Sequence, residues 1–172
     1  MELYLIQHGE AKSEREDPTR PLTDRGREEV RRVADFAARL GLHPAEIRHS
    51  GKRRAEETAL IFAEALSLKD KIRTVPGLAP NEEVRPLAEQ LEVETQPLMI
   101  VGHLPFLSRL VSLLLVDNPD RIIVRFRMGG IVCLVRGDSA ESAGIGRRWE
   151  LAWIVTPDII GPAFATLHQL NR

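Results

Sequence analysis

The sequence is short of cysteine, of lysine and of net charge, and no long apolar run occurs in it. The only cysteine among 172 residues, Cys133, excludes an internal disulfide and fits a reducing compartment. It lies in the apolar run Ile131-Val132-Cys133-Leu134-Val135, the setting of a buried, inert thiol. Basic and acidic residues nearly cancel, 24 against 25, which argues against a nucleic-acid partner. Lysine supplies only four of the 24 basic residues, and we attribute the bias to arginine to genome composition. No segment approaches the ~18 consecutive apolar residues of a membrane-spanning helix. Met1-Glu2-Leu3-Tyr4 enters strand-like sequence with no basic leader before it. A cytoplasmic protein without a membrane partner is expected.

Familiar site signatures are missing too. There is no Walker phosphate loop, no dinucleotide glycine fingerprint on the first strand and no Gly-x-Ser-x-Gly elbow around Ser50. The five histidines, His8, His43, His49, His103 and His168, show no His-Glu-x-x-His spacing, so neither a metal nor any other cofactor is expected. His43 and His49 read as surface or packing residues. Internal repeats, low-complexity tracts and linkers are also lacking, and 172 residues suit one domain with a sizeable core.

The patterning that is present alternates strands with helices. Leu3-Tyr4-Leu5-Ile6 is a short buried strand ended by Gln7-His8-Gly9, and residues 10–20, with Pro18, form a loop. Thr23 is placed to cap a helix whose buried face is Val30, Val33, Ala34, Ala37 and Leu40, with Gly41 as the stop. Residues 46–49 predict a strand, 53–67 a helix and 72–75 a brief strand; Val84, Leu87, Ala88 and Leu91 mark a third helix. Residues 97–102 are the clearest buried strand, and Phe106, Leu107, Leu110, Val111 and Leu114 give the next helix face. Strands are then expected at 122–126, 131–136 and 149–156, with a tight turn at Gly129-Gly130. The order implies a three-layer α/β/α sandwich, its central sheet mostly parallel with antiparallel strands toward the C-terminus.

Two strands end alike, in Ile6-Gln7-His8-Gly9 and in Val101-Gly102-His103. Ligands in open α/β sheets bind outside the carboxyl ends of parallel strands. Neighbouring strands would bring both imidazoles into one crevice, with Gly9 and Gly102 allowing close backbone approach to a ligand. Alone, each histidine reads as a polar strand end; two in the same setting point to a site. In Ser50-Gly51-Lys52-Arg53-Arg54, a strand end meets a helix start rich in cations. Cations are unfavourable there unless an anion shares the site with the helix N-terminus.

Gln7-His8-Gly9-Glu10-Ala11, then Arg20-Pro21-Leu22-Thr23 with Gly26, then Ser50 with Arg54-Ala55-Glu56-Glu57-Thr58, then Gly102-His103-Leu104-Pro105 follow one another in order and spacing. Together they resemble the histidine phosphatase (phosphoglycerate mutase-like) superfamily, and most of all its SixA-type phosphohistidine phosphatases. The matching motifs cover roughly residues 1–106. The resemblance implies that His8 is a nucleophile forming a covalent phosphohistidine intermediate. It implies that Arg54 grips two phosphoryl oxygens and that His103 donates to a non-bridging oxygen in the transition state. It implies no metal. Where the family uses a carboxylic acid to protonate the leaving group, Glu82 and Glu83 are the candidates by chain order. An imidazole leaving group needs far less acid help than an alkoxide, so a phosphohistidine phosphatase can do without one. A cysteine-based phosphatase is excluded, because Val132 precedes Cys133 and Ser139 stands where its arginine would be.

One position departs from the family pattern: Gln7 stands where the family has arginine. Glutamine still hydrogen-bonds a phosphate oxygen but adds no charge, and the loss of one such donor costs ~10²–10³ in rate. Arg20 is the residue placed to supply the missing charge, or else a plain loop residue. The expected activity is hydrolysis of phosphohistidine on a histidine-containing phosphotransfer protein, with His8, Arg54 and His103 catalytic and Gln7, Gly9, Arg20, Glu82 and Gly102 binding substrate. A broad small-molecule phosphomonoesterase is the alternative enzyme. A phosphate-dependent binding module is the alternative that Gln7 favours and the retained His8 opposes.

Overall fold

The computed structural model describes residues 1–137 and 149–161. Among the described residues six strands form one sheet: β1 (Glu2–Gln7), β2 (Glu46–His49), β3 (Ile72–Thr74), β4 (Leu98–Gly102), β5 (Ile131–Arg136) and β6 (Trp149–Val155). Their order across the sheet is β3-β2-β4-β1-β5-β6. The first four in that order run parallel, whereas β5 pairs antiparallel with β1 and with β6. The helices are α1 (Asp24–Arg39), α2 (Arg53–Ala65), α3 (Arg85–Val93), α4 (Phe106–Val116) and the short α5 (Pro157–Ile160).

The two-residue period of the central strands sorts their side chains into two cores. Leu3, Leu5, Leu98, Ile100, Val132 and Leu134 face α3 and α4, where Leu91, Phe106 and Leu110 meet them. Tyr4, Ile6, Met99, Val101, Ile131 and Cys133 face α1 and α2, against Val30, Val33, Ala59 and Phe62. Both faces of β1 and β4 are therefore buried, which is why these strands read as unbroken apolar runs. The three-layer α/β/α sandwich with a mostly parallel sheet is the observed architecture. Cys133 is buried, and that burial pushes its thiol up to about 12. No helix among the described residues is long and apolar enough to cross a membrane.

Thr23 caps α1 through its side-chain oxygen, which accepts from the Gly26 N–H at 2.9 Å. Two expectations near the helix ends need correction. Leu40 lies beyond the last turn of α1 and is 53% exposed, so Leu42 packs into the core instead. Helix α2 stops at Ala65, because Ser67 turns into the left-handed region at φ 58.

The larger correction concerns residues 122–126, which form no strand. Their inside-outside alternation is real, since Val124 and Phe126 are buried while Ile122, Ile123 and Arg125 are exposed. Pairing is what they lack: both edges of β5 are taken by β1 and β6. The segment runs over the surface and turns through Met128 and Gly129 into β5. Gly129, at φ 73, donates its N–H to the Gln7 carbonyl at 2.8 Å.

Candidate functional site

The sheet order sets β2, β4 and β1 side by side with parallel directions, so their carboxyl ends open on one crevice. In the β1–β4 register Gln7 lies opposite Gly102, and the His8 N–H donates to the Gly102 carbonyl at 3.1 Å. His8 and His103 thus leave the sheet at the same level, their ring centroids 5.0 Å apart. The turn after β2 leads into α2, which delivers Arg54 to the same place.

Hydrogen bonds fix the state of His8. Its Nδ1 lies 2.8 Å from the Gly9 carbonyl, an atom that can only accept, so Nδ1 carries the proton. Its Nε2 accepts from the Arg54 Nε–H at 3.1 Å, so its one lone pair carries no proton and is held by Arg54 at the crevice. Burial, and less strongly the positive charges of Arg54 and Arg20, hold the His8 pKa down to about 4. His103 is 1% exposed; burial, then the charges of His8, Arg54, Lys52 and Arg20, hold it at about 3. Both imidazoles are neutral at pH 7, and the charges that shift them are cationic. Arg54 is itself pushed down from the ordinary arginine value by burial and by Arg20. Such a crevice suits an anion.

The neighbours of these three side chains fix their positions. Ser50 Oγ lies 2.6 Å from His103 Nε2, while His103 Nδ1 is buried without a partner among the described residues. Thr58 accepts from the Gly9 N–H at 3.0 Å and donates to the Arg54 carbonyl at 2.7 Å, tying the His8 loop to the first turns of α2. Glu57, 4% exposed, accepts from the Leu22 N–H at 2.9 Å and pairs with Arg27 and Arg53 at 2.8 Å. It anchors the 10–22 loop to α2. Sequence reasoning assigned no role to Ser50, Glu57 or Thr58. The signal was available in part, since Arg54, Glu57 and Thr58 sit three and four residues apart on one helical face.

Packing excludes a side chain at Gly9 and crowds one at Gly102. A Cβ on Gly9 would fall 2.6 Å from Val30 Cγ2, and one on Gly102 would fall 3.2 Å from Leu107 Cδ2. Their neighbours are thus helices α1 and α4, a different reason from the ligand approach expected of them. Arg20 takes a left-handed backbone, φ 52, and its Nε–H donates to the Lys12 carbonyl at 3.2 Å. Its charge acts on His8, Arg54 and His103 alike, the weakest of the causes that shift each of them, so it lies within electrostatic reach of the crevice. Gln7 is 8% exposed and lines an adjoining cleft of about 250 Å³ with Glu10, Leu104 and Met128. Glu82 and Glu83 are exposed, and Glu83 lies 4.0 Å from Arg109. Neither is brought to the imidazole pair by any described contact. His43 is exposed, His49 is buried against Thr74, and His168 lies outside the described residues. No cluster of three metal-ligating side chains occurs among the described residues.

Comparison with known proteins adds to this geometry. A sequence profile of the histidine phosphatase superfamily (branch 1) matches residues 3–80. An uncharacterized protein of Picosynechococcus is 39% identical over 115 residues, 63% of this chain and 69% of the relative. The phosphohistidine phosphatase SixA of Escherichia coli is 27% identical over 117 residues, 65% of this chain and 73% of that protein. Among solved structures, protein histidine phosphatase SixA complexed with tungstate superposes with a TM-score of 0.79 at 22% identity. That match covers 94% of this chain and all of the other. A mycobacterial glucosyl-3-phosphoglycerate phosphatase has the same fold, with a TM-score of 0.68 at 18% identity over 88% of this chain and 98% of the other.

Proposed function

The chain belongs to the histidine phosphatase superfamily, and from that premise we propose that it hydrolyses phosphohistidine on a histidine-containing phosphotransfer protein. It acts as a single domain in the cytoplasm, with His8, Arg54 and His103 as catalytic residues. The observation that carries the reading is the unprotonated His8 Nε2, held by the Arg54 Nε–H at 3.1 Å beside a second neutral imidazole.

In this mechanism Arg54 turns its N–H groups from His8 to the phosphoryl oxygens, and the freed His8 Nε2 lone pair attacks phosphorus while the bond from phosphorus to the leaving imidazole nitrogen breaks. The leaving nitrogen takes its proton from solvent. Water then attacks the phosphorylated His8, releasing inorganic phosphate and returning the lone pair to Nε2. Arg54 and His103 face the non-bridging oxygens, where charge develops, and Gln7, Gly9, Gly102 and Arg20 border the phosphoryl group. The choice of phosphohistidine over a phosphomonoester rests on the cationic surroundings of the imidazoles and the exposed position of Glu82 and Glu83. Among the described residues no contact brings a carboxylic acid to the imidazole pair, which suits the leaving group that least requires one.

The test is phosphate release from free phosphohistidine and from a phosphorylated phosphotransfer domain, with chelator present and His8→Ala in parallel. Chelator-resistant release that disappears in His8→Ala is expected. Release from phosphomonoesters at equal or greater kcat/KM would move the assignment to a small-molecule phosphomonoesterase. Tungstate binding without any turnover would make the chain a phosphate-dependent binding module, the reading that the neutral Gln7 favours.

A further inference from the structure

Isolated apolar side chains on a surface are ordinary, but here four gather beside the crevice. Leu104, Ile122, Ile123 and Met128 are 38%, 55%, 41% and 46% exposed. Leu104 directly follows His103, and Met128 shares the cleft at Gln7. A second cleft, of about 410 Å³, is lined by Leu104, Ser108 and residues 122–126. Leu104 and Phe126 border both clefts, which therefore lie side by side as one grooved surface from Gln7, next to His8, out to Ile122.

The outer end of this groove is cationic, with Arg125 in its lining, whereas the cleft at Gln7 carries Glu10, Glu29 and Asp158 with Arg25 and Arg127. Arg121 and Arg125 are exposed and form no ion pair among the described residues, whereas Arg127 is held by Asp158 at 2.8 Å. The failed strand at 122–126 thus turns apolar and basic side chains outward while Val124 and Phe126 fasten it to the core. Extended apolar surface of this kind on a soluble domain marks a recognition site.

We propose that this groove docks the phosphorylated protein substrate. Apolar side chains next to the phosphorylated residue would lie against Leu104, Ile122 and Ile123, with acidic residues against Arg121 and Arg125. The occupant is inferred from the continuity of the groove with the crevice at Gln7 and Leu104 and from the unpaired arginines. A small phosphoester is polar and too short to use an apolar track that ends at Ile122. The proposal rests on the phosphohistidine reading and adds to it the surface that selects a protein over a metabolite.

The experiment compares a phosphorylated histidine phosphotransfer domain with free phosphohistidine as substrates. The enzymes are the wild type, the double variant Ile122→Asp/Ile123→Asp, and Arg125→Glu. Both variants are expected to raise KM for the phosphoprotein, the double variant by about ten- to a hundredfold, with kcat little changed. Their kinetics on free phosphohistidine stay at the wild-type level, which also demonstrates that they fold. Added salt raises the wild-type KM for the protein substrate and raises it less in Arg125→Glu. Equal effects on both substrates, or no effect on the protein substrate, would overturn the docking surface and leave the phosphohistidine reading intact. A wild type that hydrolyses neither substrate would overturn both. Sedimentation showing a wild-type dimer that the double variant dissolves would make the groove a self-association face and would also overturn the proposal.

Discussion

Replacing His8 by glutamine removes one proton-binding site from the folded and unfolded chains together, so the pH dependence of stability reports what the fold does to that site. Burial holds His8 at about 4 in the folded protein, against an ordinary value of 6.5. As pH falls, the unfolded chain therefore takes up the proton first. Stability is whole above about pH 7, where the imidazole is neutral in both states. It falls as pH drops through 6.5 toward 4, and below about 4 both states are protonated and the loss from this site ends. A displacement of about 2.5 pH units is worth about 3 kcal/mol.

Urea unfolding midpoints for the wild type and His8→Gln, taken in steps from pH 8 to pH 4, measure the effect. Carboxylates also titrate toward the acid end, but both proteins contain them and their contribution cancels in the difference. The difference in stability is expected to be constant from pH 8 to 7, then to move against the wild type by about 2–3 kcal/mol by pH 4. Loss of His8 also eases His103, which it helps to hold at about 3; the variant then loses less in acid, so this neighbour widens the difference rather than narrowing it. Saturating phosphate should flatten the wild-type curve, because a bound anion favours the imidazolium form. A difference that stays level from pH 8 to pH 4 would refute the argument that burial keeps His8 neutral.

The remaining expectations are brief. Arg20→Gly removes a charge from the crevice and also relieves a left-handed backbone at φ 52; kcat/KM should fall by about tenfold or more while the urea midpoint holds or rises. Gly26→Ala would set a Cβ 2.2 Å from the Glu10 carbonyl oxygen, an atom of the backbone that carries the His8 loop. It should cost about 3 kcal/mol and lower Tm by about 10 °C in a thermal melt. Gln7→Arg restores the charge that the family places there, and about a tenfold gain in kcat/KM on free phosphohistidine is expected. An unchanged or lower rate would mean that Arg20 already fills that place.

The sequence disclosed the frame of the site because its signals were local. An apolar run ending in His8, another ending in His103, and cations where a strand meets a helix each follow from residues within a few positions of one another. Adjacency of β1 and β4 is not local, and the shared motif at their ends said only what would follow from it; the Gln7–Gly102 register shows it. Residues 122–126 were misread for the opposite reason: alternation is written in the chain, whereas a partner strand is a property of the sheet, and β5 had no edge left to offer. The same limit hid Glu57 and Thr58. Their bonds to Leu22 and Gly9 cross 35 and 49 positions, and no periodicity encodes such a reach.

Charge accounts for how a site with Gln7 in place of arginine can still meet a phosphoryl dianion. In the free crevice, burial and the two guanidiniums all act in one direction, against a proton on either imidazole. On the proposed reading His8 is thereby ready to attack at neutral pH without a separate base. Arg54 and Arg20 bring two fixed positive charges, enough to balance a dianion but not to stabilise the further charge of its transition state. On the proposed reading the substrate itself supplies the remainder. Its negative charge, arriving beside His103, reverses the balance that kept that imidazole neutral and favours its protonated form. A fixed arginine at position 7 would add charge in the empty and the filled site alike. A histidine that gains its charge only when the anion is bound leaves the nucleophile neutral beforehand and strengthens the field afterwards, where the chemistry needs it.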